Sequence, residues 1–341
     1  GDGSAVSPTL FCARGENLSM DTSDLPINRK KSIAVARILD HMQRDLGIEI
    51  LAGFQGLGRQ VYSSDINRPG LALSGYLEYF ANDRVQLLGN TEIHFMETLS
   101  PSQLMWRLSS IFAFEVPVFF LSRNLTPTHL FLDMCNRQGV PVLRSALSTD
   151  EVISRIILFL AEEFSPETTI HGTAVDCYGV GCLIVGAPGI GKSETALELV
   201  ERGHRLVADD VVAIKRRGED ALYAETNPII EHHMEIRGVG IIDLKGVFGV
   251  GRVRNVKRIG LIVELEEWNP ATQYDRTGLM DEYVEILGVK IPRLRIPVRP
   301  GRNIAIIIEV AALNHRLKEL GVDPAQRFNE RVLNIMSGQS L

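Results

Sequence analysis

The apolar positions of residues 33–46 recur every three or four residues, which is the spacing of one buried helix face. They are Val35, Ile38, Leu39, Met42 and Leu46. Shorter apolar runs at 48–51, 117–121 and 140–142 predict strands, and a helical pattern at 127–137 separates the last two. Helices and strands that alternate in this way are typical of an α/β domain.

We expect this N-terminal α/β domain to cover residues 25–150. It contains no catalytic constellation, so we expect a role in assembly or regulation. A helical pattern at 150–164 and a polar loop at 165–169 mark its end, and a second α/β domain is predicted over 151–341. The elements expected in this second domain are strands at 173–178, 182–185, 206–208, 259–265 and 304–311, then helices at 313–320 and 325–335.

Composition narrows the class of protein. Hydrophobic residues make up 45% of the chain and charged residues 23%, and the net charge of −6 disfavours bulk attraction to nucleic acid or anionic membranes. No apolar run reaches membrane-spanning length, and residues 1–24 lack the pattern of a signal peptide. We therefore predict a cytoplasmic protein with no nucleic-acid or membrane partner, and a disordered extension over residues 1–24.

One motif points directly to chemistry. Its residues are Gly186, Ala187, Pro188, Gly189, Ile190, Gly191, Lys192 and Ser193. They fit the G-x-x-x-x-G-K-[ST] loop and lie between an apolar strand and an amphipathic helix, as that loop requires. Backbone N–H groups and the helix N-terminus would hold phosphate oxygens, Lys192 would reach the β- and γ-phosphates, and the Ser193 hydroxyl would bind Mg²⁺.

Two further segments carry acidic groups. An apolar strand ends in Asp209 and Asp210, the first of them 17 residues after Lys192. Carboxylates in succession point to opposite sides of a strand, so one of the two is expected to be central, while a helix cap or a solvated turn is the alternative. The segment Glu235–Asp243 combines an acid, a base and two glycines, a pattern that a bulged strand would also explain.

Several motifs in the same order resemble the bacterial HPr kinase/phosphorylase family. The resemblance extends from about residue 25 to 335. It rests on the P-loop with its following helix and on four further stretches, which are Gly203–Asp210, Glu235–Asp243, Tyr274–Arg276 and Ile296–Asn303. It also includes Arg68–Gly70, Arg84–Gly89 and Gly139–Ser145 of the N-terminal half.

The resemblance implies roles for individual residues. His171, Lys192, Asp210 and Arg276 are the expected catalytic residues, with Asp210 as the acid–base group. Ser193 and Glu235 are the expected Mg²⁺ ligands. The expected phosphorolysis segment comprises Pro297, Val298, Arg299, Pro300, Gly301 and Arg302.

The resemblance also implies an activity and an assembly. Such an enzyme phosphorylates a serine of the phosphocarrier HPr, with ATP or pyrophosphate as donor. It reverses the reaction when inorganic phosphate attacks the phosphoserine, and in relatives this serves carbon metabolism and sugar uptake. A catalytic domain resembling phosphoenolpyruvate carboxykinase and a homohexamer are expected. A P-loop kinase or carboxykinase for a small metabolite, and a nucleotide-binding switch without catalysis, remain alternatives.

Overall fold

A computed structural model describes residues 25–227, 230–272 and 282–336. The predicted extension at 1–24 therefore lies outside the described residues. The chain forms two compact units. One is Arg29–Ser165, and the other is Pro166–Leu341 together with the segment that ends at Asn28.

The N-terminal unit is a three-layer α/β structure. Its elements are β1 (Ile33–Ala34), α1 (Val35–Leu46), β2 (Glu49–Ala52), β3 (Gln60–Val61), β4 (Ile66–Asn67), α2 (Gly70–Ser74), β5 (Val85–Leu88), α3 (Asn90–Thr98), α4 (Pro101–Phe112), β6 (Phe119–Leu121), α5 (His129–Gln138), β7 (Val142–Arg144) and α6 (Thr149–Glu163). Strands β4 to β7 are parallel, β2 is antiparallel to β7, and the order is β2-β7-β6-β5-β4. Helices α1 and α6 pack on one face of this sheet, and α2 to α5 pack on the other.

The division between the two units falls after α6. The boundary expected at 150/151 would separate this helix from the N-terminal unit. Its side chains Val152, Ile156 and Leu160 are buried against strands of that unit, in the same core as helix α1. The polar loop that follows α6 is where the chain passes from one unit to the other.

The C-terminal unit is built around a mixed sheet. Its elements are β8 (Glu167–His171), β9 (Thr173–Cys177), β10 (Val180–Gly186), α7 (Lys192–Glu201), β11 (Arg205–Ala208), β12 (Val211–Arg217), β13 (Ala221–Glu225), β14 (His233–Ile236), β15 (Gly240–Asp243), α8 (Leu244–Phe248), β16 (Val256–Glu267), β17 (Glu282–Ile286), β18 (Val289–Val298), α9 (Ile304–Glu319) and α10 (Pro324–Met336). Both units thus mix helices and strands, and the predicted mixed α/β class is confirmed.

Three parallel strands form the centre of this sheet. Strand β16 lies between β10 and β18, and all three run in the same direction. Strands β8, β9, β11, β12, β13 and β17 extend the sheet by antiparallel pairing. The loop after β10 and the segment after β18 therefore leave the same edge of the sheet.

The prediction of a strand at 304–311 is wrong, because these residues form the first half of helix α9. The Asn303 side chain accepts a hydrogen bond of 2.9 Å from the backbone N–H of Ile306 and so caps the first turn. The buried side chains recur at helical spacing, and they are Ala305, Ile308 and Ala312. Cap and burial pattern together outweigh the strand propensity of the isoleucine run. Within the described ranges, no helix has both the length and the apolar character needed to cross a bilayer.

Substitution of two glycines tests how closely backbone segments pack in the N-terminal unit. Gly47 and Gly53 both have positive φ, of 57° and 67°, but a Cβ at Gly47 meets open space whereas one at Gly53 overlaps the Val140 carbonyl. Gly47→Ala should lower the free energy of unfolding by about 1 kcal/mol, from backbone strain. Gly53→Ala should cost about 1–3 kcal/mol more, because backbone must move. Urea unfolding of the full chain measures both, and equal losses would contradict the described contact.

Candidate active site

The phosphate-binding loop joins the central strand β10 to the N-terminus of α7. Gly186 ends the strand, where a Cβ would overlap the Leu265 carbonyl of neighbouring β16, so only glycine allows this close approach. Ile190, in the middle of the loop, packs against the core beneath it. The loop is thus packed against the core on one side, and its backbone borders a cleft on the other.

Lys192 extends back along this loop. Its ammonium donates hydrogen bonds to the carbonyl oxygens of Gly186 at 3.0 Å and Ala187 at 3.1 Å. Burial lowers the pKa of Lys192, and the nearby carboxylates of Asp209 and Asp210 partly oppose that shift. A lysine held in this position directs its charge to the place where the loop would hold phosphate.

Asp209 fastens the first turn of α7 to the sheet. Its Oδ1 accepts hydrogen bonds from Thr173 Oγ1 at 2.6 Å and from Ser193 Oγ at 3.1 Å. Asp209 is only 5% exposed, and burial raises the pKa of its carboxyl group. This carboxylate therefore orients the serine hydroxyl that the motif assigns to metal binding.

The Asp210 side chain, unlike that of Asp209, points out into the solvent. Its backbone has a φ of 63°, so the chain turns sharply after Asp209, and its side chain is 79% exposed. His171, at the end of β8, lies beside it, with Nδ1 3.2 Å from the Asp210 carbonyl oxygen and 3.7 Å from Asp210 Oδ1. One carboxylate is thus buried against the loop, and the other lies exposed in the cleft beside His171.

These groups line one cleft of about 610 Å³. Of the residues predicted to form the site, it collects His171, Gly186, Pro188, Gly189, Gly191, Lys192, Ser193, Asp210 and Glu235. Ala187 and Ile190 belong to the same loop without lining the cleft. Glu235 comes from β14, which pairs with β15 in a separate two-stranded hairpin. The hairpin therefore forms the wall opposite the loop.

Seven lining residues were not predicted as site residues from the sequence. Four are polar or charged, namely Glu194, Asp209, His233 and Arg237, and three are apolar, namely Ile230, Met234 and Ile241. Asp209 was visible as half of an acidic pair, but the sequence does not show which acid turns inward. Arg237 was visible as the base two residues after Glu235. The β14–β15 hairpin and the phosphate-binding loop are far apart along the chain, so no local sequence pattern predicts that they face each other.

The remaining predicted site residues are Arg276 and the segment Pro297–Arg302. Arg276 falls outside the described residues, so its role stays a prediction. Arg299 stacks over the Trp268 ring at 3.4 Å, and Arg302 donates a hydrogen bond of 3.2 Å to the Pro297 carbonyl. Neither arginine is among the residues that line the cleft. The segment 297–302 nevertheless begins at the carboxyl end of β18, on the edge of the sheet from which the loop leaves β10.

The oxygen donors of the cleft fit a magnesium ion. A hydroxyl on Ser193 and carboxylates on Asp209 and Glu235 are hard ligands of the kind that Mg²⁺ prefers. No group of three or more His, Cys, Asp or Glu side chains that could hold a metal occurs among the described residues. A magnesium ion that is bound with a phosphate substrate does not need such a cage, since it takes one or two carboxylates and keeps several waters.

The buried carboxylate gives a prediction for stability. Asp209→Asn keeps an acceptor for Thr173 and Ser193 and removes a charge that burial disfavours, so the free energy of unfolding should stay the same or rise. Thr173→Val is the matched control. It removes the hydrogen bond to Asp209, so its free energy of unfolding should fall by about 1 kcal/mol. Thermal and urea unfolding measure both variants. A larger loss for Asp209→Asn than for Thr173→Val would contradict this description.

Comparison with known proteins identifies the family of this chain. Residues 33–160 match the family model described as HPr Serine kinase N terminus, and residues 162–332 match HPr Serine kinase C-terminal domain. HPr kinase/phosphorylase of Brevibacillus brevis is 48% identical over 88% of this chain and 95% of that protein. The Bacillus subtilis protein of the same name is 45% identical over 89% of this chain and 98% of that protein.

A solved structure, the Hpr(Ser) kinase/phosphatase from Coxiella burnetii, is similar to part of the chain. It is 34% identical, with a TM-score of 0.43, over 48% of this chain and 98% of that chain. The two family models together span both units, and the curated relatives align over most of their length. The chain belongs to the HPr serine kinase family.

Proposed function

We propose that the chain phosphorylates a serine of HPr, with ATP or pyrophosphate as donor and Mg²⁺ as cofactor, and reverses this by phosphorolysis. The observation that supports this most is the placement of Asp210 and His171 beside Lys192 and the P-loop in one cleft. A phosphoryl donor held by the loop would present its terminal phosphorus to a hydroxyl beside Asp210. The family membership favours this function over a small-metabolite kinase or a switch without catalysis.

In the forward reaction, the exposed Asp210 carboxylate takes the proton from the serine hydroxyl. The serine oxygen forms a bond to the terminal phosphorus of the donor, and the bond from that phosphorus to the leaving oxygen breaks. ADP or inorganic phosphate leaves with the electron pair. His171 is close enough to orient Asp210, with its Nδ1 3.7 Å from Asp210 Oδ1.

In the reverse reaction, an oxygen of inorganic phosphate attacks the phosphorus of the phosphoserine. The bond from phosphorus to the serine oxygen breaks, Asp210 returns its proton to that oxygen, and the product is pyrophosphate. The loop serves both directions because it contacts phosphate through backbone N–H groups and does not need a nucleoside. Lys192 reduces the repulsion between the two anions.

Magnesium would be held by Ser193 and Glu235, with Asp209 orienting the serine hydroxyl. A bound Mg²⁺ would neutralise charge on the transferring and leaving phosphates. Arg276 and the segment Pro297–Arg302 are proposed to add positive charge for the phosphorolysis step.

The remaining assignments are also part of the proposal. The catalytic unit resembles phosphoenolpyruvate carboxykinase, and the N-terminal unit, predicted over 25–150, serves assembly or regulation. The enzyme forms a homohexamer in the cytoplasm and regulates carbon metabolism and sugar uptake through its partner HPr. The family resemblance supports each of these statements.

The activity is tested by incubating the protein with HPr, Mg²⁺ and either ATP or pyrophosphate. Phosphoserine should form with both donors, as measured by intact-protein mass spectrometry, and an HPr variant without the target serine is the control. Addition of EDTA should stop the reaction. Nucleotide binding without phosphoserine would contradict the proposed function and favour a switch.

Asp210→Asn separates binding from chemistry. The amide cannot accept the serine proton, so transfer in both directions should fall by about 100-fold or more, while donor binding stays within about threefold. Glu194→Gln, which changes another carboxylate of the same cleft, is the matched control and should keep most activity. Rates for Asp210→Asn near those of the wild type would contradict the assignment of the base.

A further inference from the structure

We propose that Glu309 is a positioning residue, which fixes helix α9 to helix α7 and thereby holds the segment Pro297–Arg302 beside the phosphate-binding loop for phosphorolysis. The inference rests on the proposed function, which assigns that segment to the phosphorolysis step. It gives a task to a buried carboxylate that lies outside the cleft. A substitution outside the cleft should then affect one direction of the reaction more than the other.

Glu309 lies in the second turn of α9 and binds two residues that follow α7. Its Oε2 accepts a hydrogen bond from the Arg202 guanidinium, and its Oε1 lies 2.8 Å from His204 Nε2. The Glu309 and His204 side chains are both buried, with 9% and 6% of their surface exposed. The hydrogen bond from Arg202 lowers the pKa of Glu309, burial opposes that shift, and His204 adds to it. The carboxylate is thus kept in its charged form by the groups that it binds.

A second polar contact joins the same two helices. Asn303, which caps α9, donates a hydrogen bond from its side-chain amide to Glu198 Oε1 of α7. The step from Asn303 to Glu309 along α9 therefore matches the step from Glu198 to Arg202 along α7. The two helices thus run in the same direction. Consequently the residues just before α9 lie at the same end of the helix pair as the loop just before α7.

The segment Pro297–Arg302 connects β18 to α9. Its first end is fixed by the parallel pairing of β18 with β16. The hydrogen bond from Arg302 to the Pro297 carbonyl lies within the segment, so it shapes the turn without setting its distance from the phosphate-binding loop. The position of the second end therefore depends on where α9 begins, and the contacts between α9 and α7 decide that.

Apolar packing between the two helices does not set their register alone. Ala196, Leu199 and Val200 of α7 share one buried cluster with Ala305 and Ile308 of α9. Aliphatic contacts of this kind have no preferred direction. A hydrogen bond to a charged group has both a length and a direction. Buried ionic groups are known to fix the register of packed helices, and Glu309 is placed to do so here.

The chain offers a matched control in Asp176. Its side chain is also buried, with 7% exposed, and it also pairs with two cations, at 2.9 Å from Arg254 and 3.2 Å from Lys257. These pairs join β9 to the start of β16 and to the residues before it, and they involve neither α7 nor α9. Asp176→Asn therefore removes a similar buried charge and leaves the contacts between the two helices in place.

The first test measures phosphorolysis and forward transfer from ATP for three variants. Glu309→Gln should lower the kcat of phosphorolysis by about tenfold or more, because a small misplacement of reacting groups has effects of that size. Its forward kcat should stay within about threefold of the wild type, because Asp209 holds the phosphate-binding loop without the help of α9. Asn303→Ser keeps a capping oxygen and should shift the ratio of the two rates in the same direction. Asp176→Asn should leave that ratio within about twofold of the wild type.

A second test follows the segment without catalysis, by hydrogen–deuterium exchange of the full chain. Backbone amides within 298–303 should exchange about tenfold faster in Glu309→Gln than in the wild type, and at the wild-type rate in Asp176→Asn. The inference is overturned if Glu309→Gln lowers both reaction rates equally, if Asp176→Asn changes their ratio as much, or if exchange within 298–303 stays the same. If the wild type does not phosphorylate HPr, the proposed function fails, while the exchange measurement still tests how the segment is held.

Discussion

The site depends on one buried carboxylate oxygen that accepts two hydroxyl hydrogen bonds. Asp209 joins Thr173 on β9 to Ser193 in the first turn of α7. The loop before α7 is thereby fixed to the sheet at the point where its backbone borders the cleft. At the next residue the chain turns through positive φ, and the Asp210 side chain is exposed in the cleft. Asp209 thus has a structural role at the loop, while Asp210 is exposed in the cleft, where the proposed function assigns it the acid–base role.

The opposite wall is a separate hairpin. Its residues Glu235 and Arg237 reach the cleft from outside the main sheet, so the site combines a loop on the main sheet with a wall that has its own two-stranded pairing. In the proposed function, the loop N–H groups and Lys192 would bind phosphate whatever group the phosphate is attached to. The proposed two-way reaction requires such a site to accept ATP, pyrophosphate or inorganic phosphate.

Local patterns in the sequence were sufficient for the P-loop, its strand and helix, and for the mixed α/β class. They failed at 304–311, where the cap from Asn303 and the burial of Ile308 outweigh strand propensity. They also could not assign Asp209 an inward position, since a backbone turn decides it. The approach of Arg237 to Gly189 is a contact between distant segments, which no local spacing encodes.

One phosphate-binding loop is proposed to serve both phosphorylation of the HPr serine and its phosphorolysis. The most direct measurement follows ³²P-labelled inorganic phosphate that is added to the wild-type protein with Mg²⁺ and serine-phosphorylated HPr. The account predicts that the label appears in pyrophosphate in proportion to the HPr that is dephosphorylated. Release of unlabelled phosphate without labelled pyrophosphate would show hydrolysis by water and would contradict the account.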